Sequence, residues 1–170
     1  MQGGFTLVEL MVTISIAAIL LAVGIPSMRN MIQQNRLTGN VNEFVAANML
    51  ARSEAIKRGS PVTLCRAVNA EAGSDTCAAA GDWNTGWLVG VGTADNIASV
   101  LTRQKALPAG TTVTSTLNAI TYTSMGQPVL AAATDSTGFT FSNDCKSSRH
   151  LVDVGRSGHV SVATIAAVGC

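Results

Sequence analysis

Gly4-Phe5-Thr6-Leu7-Val8-Glu9 leads into nineteen residues, Leu10 to Met28, that carry no charge, and this stretch decides how the rest of the chain is read. A helix needs about 20 mainly apolar residues to cross the hydrocarbon of a bilayer, so the run predicts a membrane-crossing segment over residues 5–28. A secretory signal would have a shorter apolar centre followed by an A-x-A-like group of small residues. None follows Met28, where a helical pattern continues instead. Glu9 stands at the membrane-entering end, and a carboxylate in hydrocarbon is costly unless a positive partner neutralises it.

Beyond the apolar run, Met28, Met31, Ile32, Val41, Phe44, Val45, Met49 and Ile56 recur at steps of three, four and seven, which predicts an amphipathic continuation over residues 29–58. Lys57 and Arg58 suit the negative end of the helix dipole, Gly59 suits a cap, and Pro61 forbids continuation. A helix from Phe5 to Arg58 would be roughly 80 Å long at about 1.5 Å per residue. Pro26 and Thr38-Gly39 are its candidate kinks.

Residues 59–170 read as β. Val62–Val68, Trp87–Val91, Ala98–Leu107, Thr111–Leu117, Ile120–Thr123, Gly138–Phe141, His150–Val154 and His159–Ala163 are short runs bounded by turn residues. The composition of Asn69 to Gly81 predicts the least ordered loop, and Trp83 and Trp87 are expected in the core. The whole chain is 47% hydrophobic but only 12% charged with a net charge of +1. About a quarter charged is usual for a cytosolic domain, and the near-neutral balance argues against wholesale polyanion binding.

Gly4-Phe5-Thr6-Leu7-Val8-Glu9 resembles the prepilin motif of type IV pilins and type II secretion pseudopilins. The resemblance implies a leader over residues 1–4, cleavage by a prepilin peptidase after Gly4, and N-methylation of Phe5. Glu9 then becomes an assembly residue that meets the new amine of a neighbouring subunit. Such a pair is favoured over an orphan charge in a low-dielectric setting, so Glu9 sets register and recruitment more than stability. Met1–Gly4 carries no Lys or Arg, a departure from the usual basic cytoplasmic flank. Either translation starts earlier, or the amine alone supplies the positive charge.

Ala51-Arg52-Ser53-Glu54-Ala55-Ile56, Pro61-Val62-Thr63-Leu64-Cys65, Trp83-x-x-Gly86-Trp87 and the Gly155-Arg156 turn are similar to the GspH/FimT/FimU group of minor pilins and pseudopilins. The likeness implies an α+β pilin fold, a long N-terminal helix on an antiparallel β-sheet head. It implies a minor pilin, a structural and assembly-priming subunit of a type IV pilus. The partners would be other pilins, the prepilin peptidase and the inner membrane, with a single-pass anchor and a periplasmic head later carried into the pilus. The alternatives are a pilus-associated DNA receptor for transformation and the minor pseudopilin H of type II secretion.

Four cysteines, Cys65, Cys77, Cys145 and Cys170, fall in the head, on the side of a membrane where disulfides persist. Three pairings are possible. The sequence-local one, Cys65–Cys77 with Cys145–Cys170, staples the long loop and the last residue. No C-x-x-C or histidine pair points to a metal, and neither His150 nor His159 sits in a catalytic motif, so no enzyme, metal or cofactor is expected. Lys146, Arg149 and Arg156 against Asp153 leave the C-terminal stretch basic on an otherwise acidic head, a candidate DNA contact through phosphates. The resembling turn in DNA-binding members reads G-R-x-R, whereas here it reads Gly155-Arg156-Ser157-Gly158.

Overall fold

A computed structural model of the chain describes residues 4, 6–70, 72–130, 136–143 and 148–166. It divides into two compact units, residues 1–36 and 37–170, and helix α1, Leu7–Arg58, contributes to both. Lys57 and Arg58 occupy the last turn of α1, and the Gly59 amide bonds back to the Ile56 carbonyl at 3.3 Å, so the helix stops where its sequence signals say.

Within residues 37–170 the strands are β1 (Val62–Arg66), β2 (Trp87–Thr93), β3 (Asn96–Gln104), β4 (Thr111–Thr114), β5 (Ala119–Tyr122), β6 (Pro128–Val129), β7 (Ser136–Asn143), β8 (Ser148–Gly155) and β9 (Val160–Ala166). They form two antiparallel sheets with orders β3-β2-β1-β5-β6 and β4-β7-β8-β9. The eight strand runs expected from sequence are all found, with shifted ends. The two-residue β6 is additional, too short to announce itself by periodicity.

One core gathers Leu37, Val41, Phe44, Ala47, Ala51 and Ala55 of α1 against the inner faces of both sheets. Phe44 is its centre, with ring centroids 5.6 Å from Trp83, 5.3 Å from Trp87, 4.7 Å from Phe139 and 5.3 Å from Phe141. Trp83 and Trp87 are buried as expected. Trp83 sits in a single 3-10 turn, Trp83–Thr85, and its indole N–H donates to the Leu117 carbonyl at 2.8 Å. Gly86 follows because a β-carbon there would lie 2.3 Å from the Gln104 carbonyl oxygen.

The buried stripe of α1 corrects the sequence expectation. Val41 and Phe44 lie on it, but Met49 and Ile56 are 57% and 53% exposed, and Met28, Met31 and Ile32 are also exposed. The face that packs includes Asn40, Asn48 and three alanines. Small side chains let the helix backbone approach the sheets closely, and counting only large apolar residues displaces the stripe.

The loop expected to be least ordered is instead well held. β1 is buried on both faces, because a second small core of Cys65, Ala67, Ala70 and Leu88 covers its outer side. Cys65 and Cys77 are joined by a disulfide, and Ala67 bridges Cys77. The buried Arg66 guanidinium donates to the Gly81 carbonyl, to the Ala78 carbonyl at 3.4 Å and to Asn118 Oδ1 at 2.7 Å. Arg103 of β3 pairs with Asp75. Polar composition suggested looseness, yet these contacts supply the order.

Candidate functional site

The amino end of α1 is built from the motif residues. Thr6 Oγ1 accepts the Glu9 amide at 3.2 Å, an N-cap that satisfies one orphan donor of the first turn. Glu9 is thereby fixed in that turn, where an acid suits the helix dipole. Its side chain is exposed. Gly4 is exposed, with no atom within 4 Å of the place a β-carbon would take. Phe5 lies outside the described residues. From Leu7 to Ile25 the described large apolar side chains are exposed, with Leu7 at 73% and Leu20 at 68%. Among the described residues no helix is long and apolar enough to cross a membrane. The uncharged run Leu10–Met28 includes positions 23, 26 and 27, whose side chains fall outside that set.

The second candidate site is the C-terminal turn. Arg149 is exposed at one end of β8, and Arg156 is exposed in the turn beyond the other end. At about 3.3 Å per strand residue they stand about 20 Å apart, with Asp153 between them. They do not converge on one phosphate. Lys146 lies outside the described residues.

Gly158 stands where the resembling G-R-x-R turn of DNA-binding members would have its second arginine, and its φ of 76° is one that side chains rarely adopt. A β-carbon there would lie 2.5 Å from the Gly126 carbonyl oxygen and 2.9 Å from Arg52 Nε. No arginine fits this turn as it is packed. Instead Arg52 reaches from α1 and donates through Nη1 to the Gly158 carbonyl at 3.0 Å. Arg52 belongs to the Ala51–Ile56 motif, but nothing in the sequence signalled that it clamps a turn 106 residues away.

Two further contacts tie α1 to the head. Tyr122 donates to Asn48 Oδ1 at 3.1 Å, and Asn48 Nδ2 donates to the Phe44 carbonyl at 2.9 Å. Burial pushes the Tyr122 hydroxyl up to about 12. Near the helix end, Arg58 Nε hydrogen-bonds Glu54 at 2.6 Å and Lys57 lies 3.6 Å away. The Arg58 hydrogen bond, aided by Lys57, holds the Glu54 carboxyl below its ordinary value.

Of the expected disulfides, Cys65–Cys77 is present, with Cα atoms 5.6 Å apart; Cys145 and Cys170 lie outside the described residues. Among the described residues no three His, Cys, Asp or Glu side chains are grouped to hold a metal.

A capped helix that begins apolar on every side and ends packed on antiparallel sheets defines a pilin-type subunit. The prokaryotic N-terminal methylation motif matches residues 1–25, and the family described as type II transport protein GspH matches residues 40–158. The chain belongs to the GspH family. It is similar in fold to the type IV minor pilin FimU of Pseudomonas aeruginosa in two crystal forms. In one the identity is 20% and the TM-score 0.62, covering 81% of this chain and 97% of that one. In the other the identity is 19% and the TM-score 0.57, covering 81% and 98%. Prepilin peptidase-dependent protein D of Escherichia coli (strain K12) is 43% identical over 58 residues, which are 34% of this chain. The chain spans 40% of the length of that relative.

Proposed function

We propose that the chain is a minor pilin, a structural and assembly-priming subunit of a type IV pilus. The carrying observation is one conjunction. A cleavage-and-methylation motif sits directly on a helix segment whose described large apolar side chains between Leu7 and Ile25 are exposed. Such a segment finds its cover in lipid and then among the helices of neighbouring subunits. Residues 5–28 are therefore the single-pass inner-membrane anchor, and the disulfide-stapled head is periplasmic.

Prepilin peptidase removes residues 1–4, and Phe5 acquires a methylated amine. Glu9, held in the first turn by the Thr6 cap, presents its carboxylate to the amine of an adjacent subunit. Mass spectrometry of a pilus fraction tests this reading. An N-methylated Phe5 terminus is expected, with Gly4→Val leaving an unprocessed chain in the membrane. Finding the Met1 terminus in assembled filaments would defeat it. Glu9→Ala should leave membrane levels normal and reduce incorporation, and loss of the chain from the membrane would contradict the role given to Glu9.

A second reading, minor pseudopilin H of type II secretion, is favoured by the GspH description of residues 40–158. Deletion separates the two. Loss of surface pili with secretion intact supports the pilin role, and the converse supports the pseudopilin role. A DNA-receptor role draws less support, because Arg149 and Arg156 are well separated and Gly158 is closed to a side chain. Weak or absent duplex binding at low salt is expected, and Arg156→Ala-sensitive, salt-sensitive binding would revive it.

A further inference from the structure

The two sheets have four edges, and three are guarded. β6 is two residues long and contains Pro128. β3 is kinked by two register shifts against β2, and its Arg103 binds Asp75 and, at 3.4 Å, the Ser74 carbonyl. β4 has four residues, and its Val113 amide is taken by Asn84 Oδ1 at 2.7 Å. These are the devices by which proteins keep edges from pairing with other chains.

β9 has none of them. Val160–Ala166 is seven residues without charge, proline or glycine, in unbroken register with β8. Among the described residues nothing pairs with its outer side. Val162 and Ile165 are 47% and 44% exposed, on opposite faces. Beside the start of β9 lies a mainly apolar cleft of about 240 Å³, lined by Met49, Ser53, Ile56 and Val160, with Arg52 and His159 also in its wall. Met49 and Ile56 are themselves more than half exposed.

We infer that β9 is a docking edge that accepts an extended, uncharged segment of a different subunit as a further strand of the second sheet. The open backbone row recognises extended main chain, and the cleft beside it accepts an apolar side chain of the incoming strand, the usual division of labour in strand addition. The absence of charge along β9 asks for an equally uncharged occupant. A second copy suits it less well. Antiparallel pairing of two β9 strands is isologous and closes at a dimer, whereas a filament is built from heterologous contacts that do not close. The inference rests on the pilin reading in that respect.

Hydrogen exchange on the full chain, in purified filaments and in detergent micelles, tests it. Amides of residues 160–166 should exchange about tenfold or more slowly in filaments than in micelles, as expected when an open edge becomes paired. Val162→Lys, which puts a charge on the uncharged edge strand, should lower incorporation about tenfold. Ala163→Lys, on the opposite face, serves where Val162→Lys loses its Cys65–Cys77 bond or its cooperative unfolding. Equal exchange in the two states, or normal incorporation of both variants, overturns the inference and leaves the pilin reading intact. Protection already present in micelles together with dimer formation assigns the edge to a second copy and overturns it too. Absence of the wild-type chain from filaments overturns both readings and is seen before any variant is made.

Discussion

Residues 7–25 and 37–55 belong to the same helix and bury their apolar side chains by opposite means. In the first stretch the described Ile, Leu, Val and Met are 48% to 73% exposed within the chain. In the second, only one face is buried, and much of it is Ala47, Asn48, Ala51 and Ala55, while Met49, and Ile56 just past its end, remain outside. The more apolar stretch is the less buried one. Burial inside this protein therefore follows shape more than hydrophobicity. Alanines bring α1 close, and Phe44 packs at the centre against rings from both sheets. The first stretch has the composition of a core segment, yet its described side chains are all exposed, and under the proposed function lipid and other subunits would cover it.

The largest effect should come from Phe44→Ala. Four aromatic rings lean on Phe44, and a phenylalanine-to-alanine change in a packed core costs about 3–5 kcal/mol. Both tryptophans lie in that core, so denaturant unfolding of the full chain in micelles can be followed by their fluorescence. A cost near zero would mean that α1 is not held by the head through this ring. Next comes Gly158→Ala, at about 2–3 kcal/mol, because a side chain at positive φ is strained and its β-carbon meets the Gly126 carbonyl. Arg52→Ala should recover part of that loss when combined with Gly158→Ala, since Arg52 Nε is one of the crowding atoms. Strict additivity in the double-mutant cycle would show the two are uncoupled.

Much of this was legible in the chain. The extent of α1 was announced by Lys57, Arg58, Gly59 and Pro61, and the strands by β-branched runs between turn residues. The Cys65–Cys77 bond followed from closeness in sequence. Three features were not legible. The phase of the packed helix face was hidden because Ala51, Ala55 and Asn48 carry no hydrophobic signal. The order of Asn69–Gly81 comes from Arg66, Asn118 and Arg103, whose partners are distant in sequence or are backbone carbonyls. The clamp of Arg52 on Gly158 is a tertiary contact between a helix and a turn. Local pattern fixes elements, but contacts of this kind depend on where the elements meet.

Tyr122→Phe should cost less, about 1–2 kcal/mol, by leaving Asn48 Oδ1 without its donor in a buried site. It should also change the alkaline limb of stability. The folded hydroxyl titrates at about 12 against an ordinary 10, so the fold favours the neutral phenol. The contribution is complete below pH 10 and is lost as pH rises toward 12. Unfolding midpoints from pH 9 to 12 should fall more steeply for the wild type than for Tyr122→Phe. Parallel curves would show that the hydroxyl is not buried as described.

The smallest effect on the head is expected from Leu20→Ala, and it probes the comparison most directly. Leu20 is 68% exposed and has no place in the core formed by residues 37–55 and the sheets. Removing its branched end takes no contact from Phe44, Trp83 or Trp87, and alanine is at least as good a helix former. The tryptophan-monitored unfolding of the full chain in micelles should be unchanged within error. Incorporation into filaments should fall, because in the proposed assembly the same side chain would lie between neighbouring helices and its loss would leave a gap. A destabilised head would mean that the first stretch of α1 is buried against its own chain after all. An unchanged head with unchanged incorporation would mean that it is buried against lipid alone. Only the split result keeps the contrast between the two stretches: one packed by its own fold, the other completed by assembly.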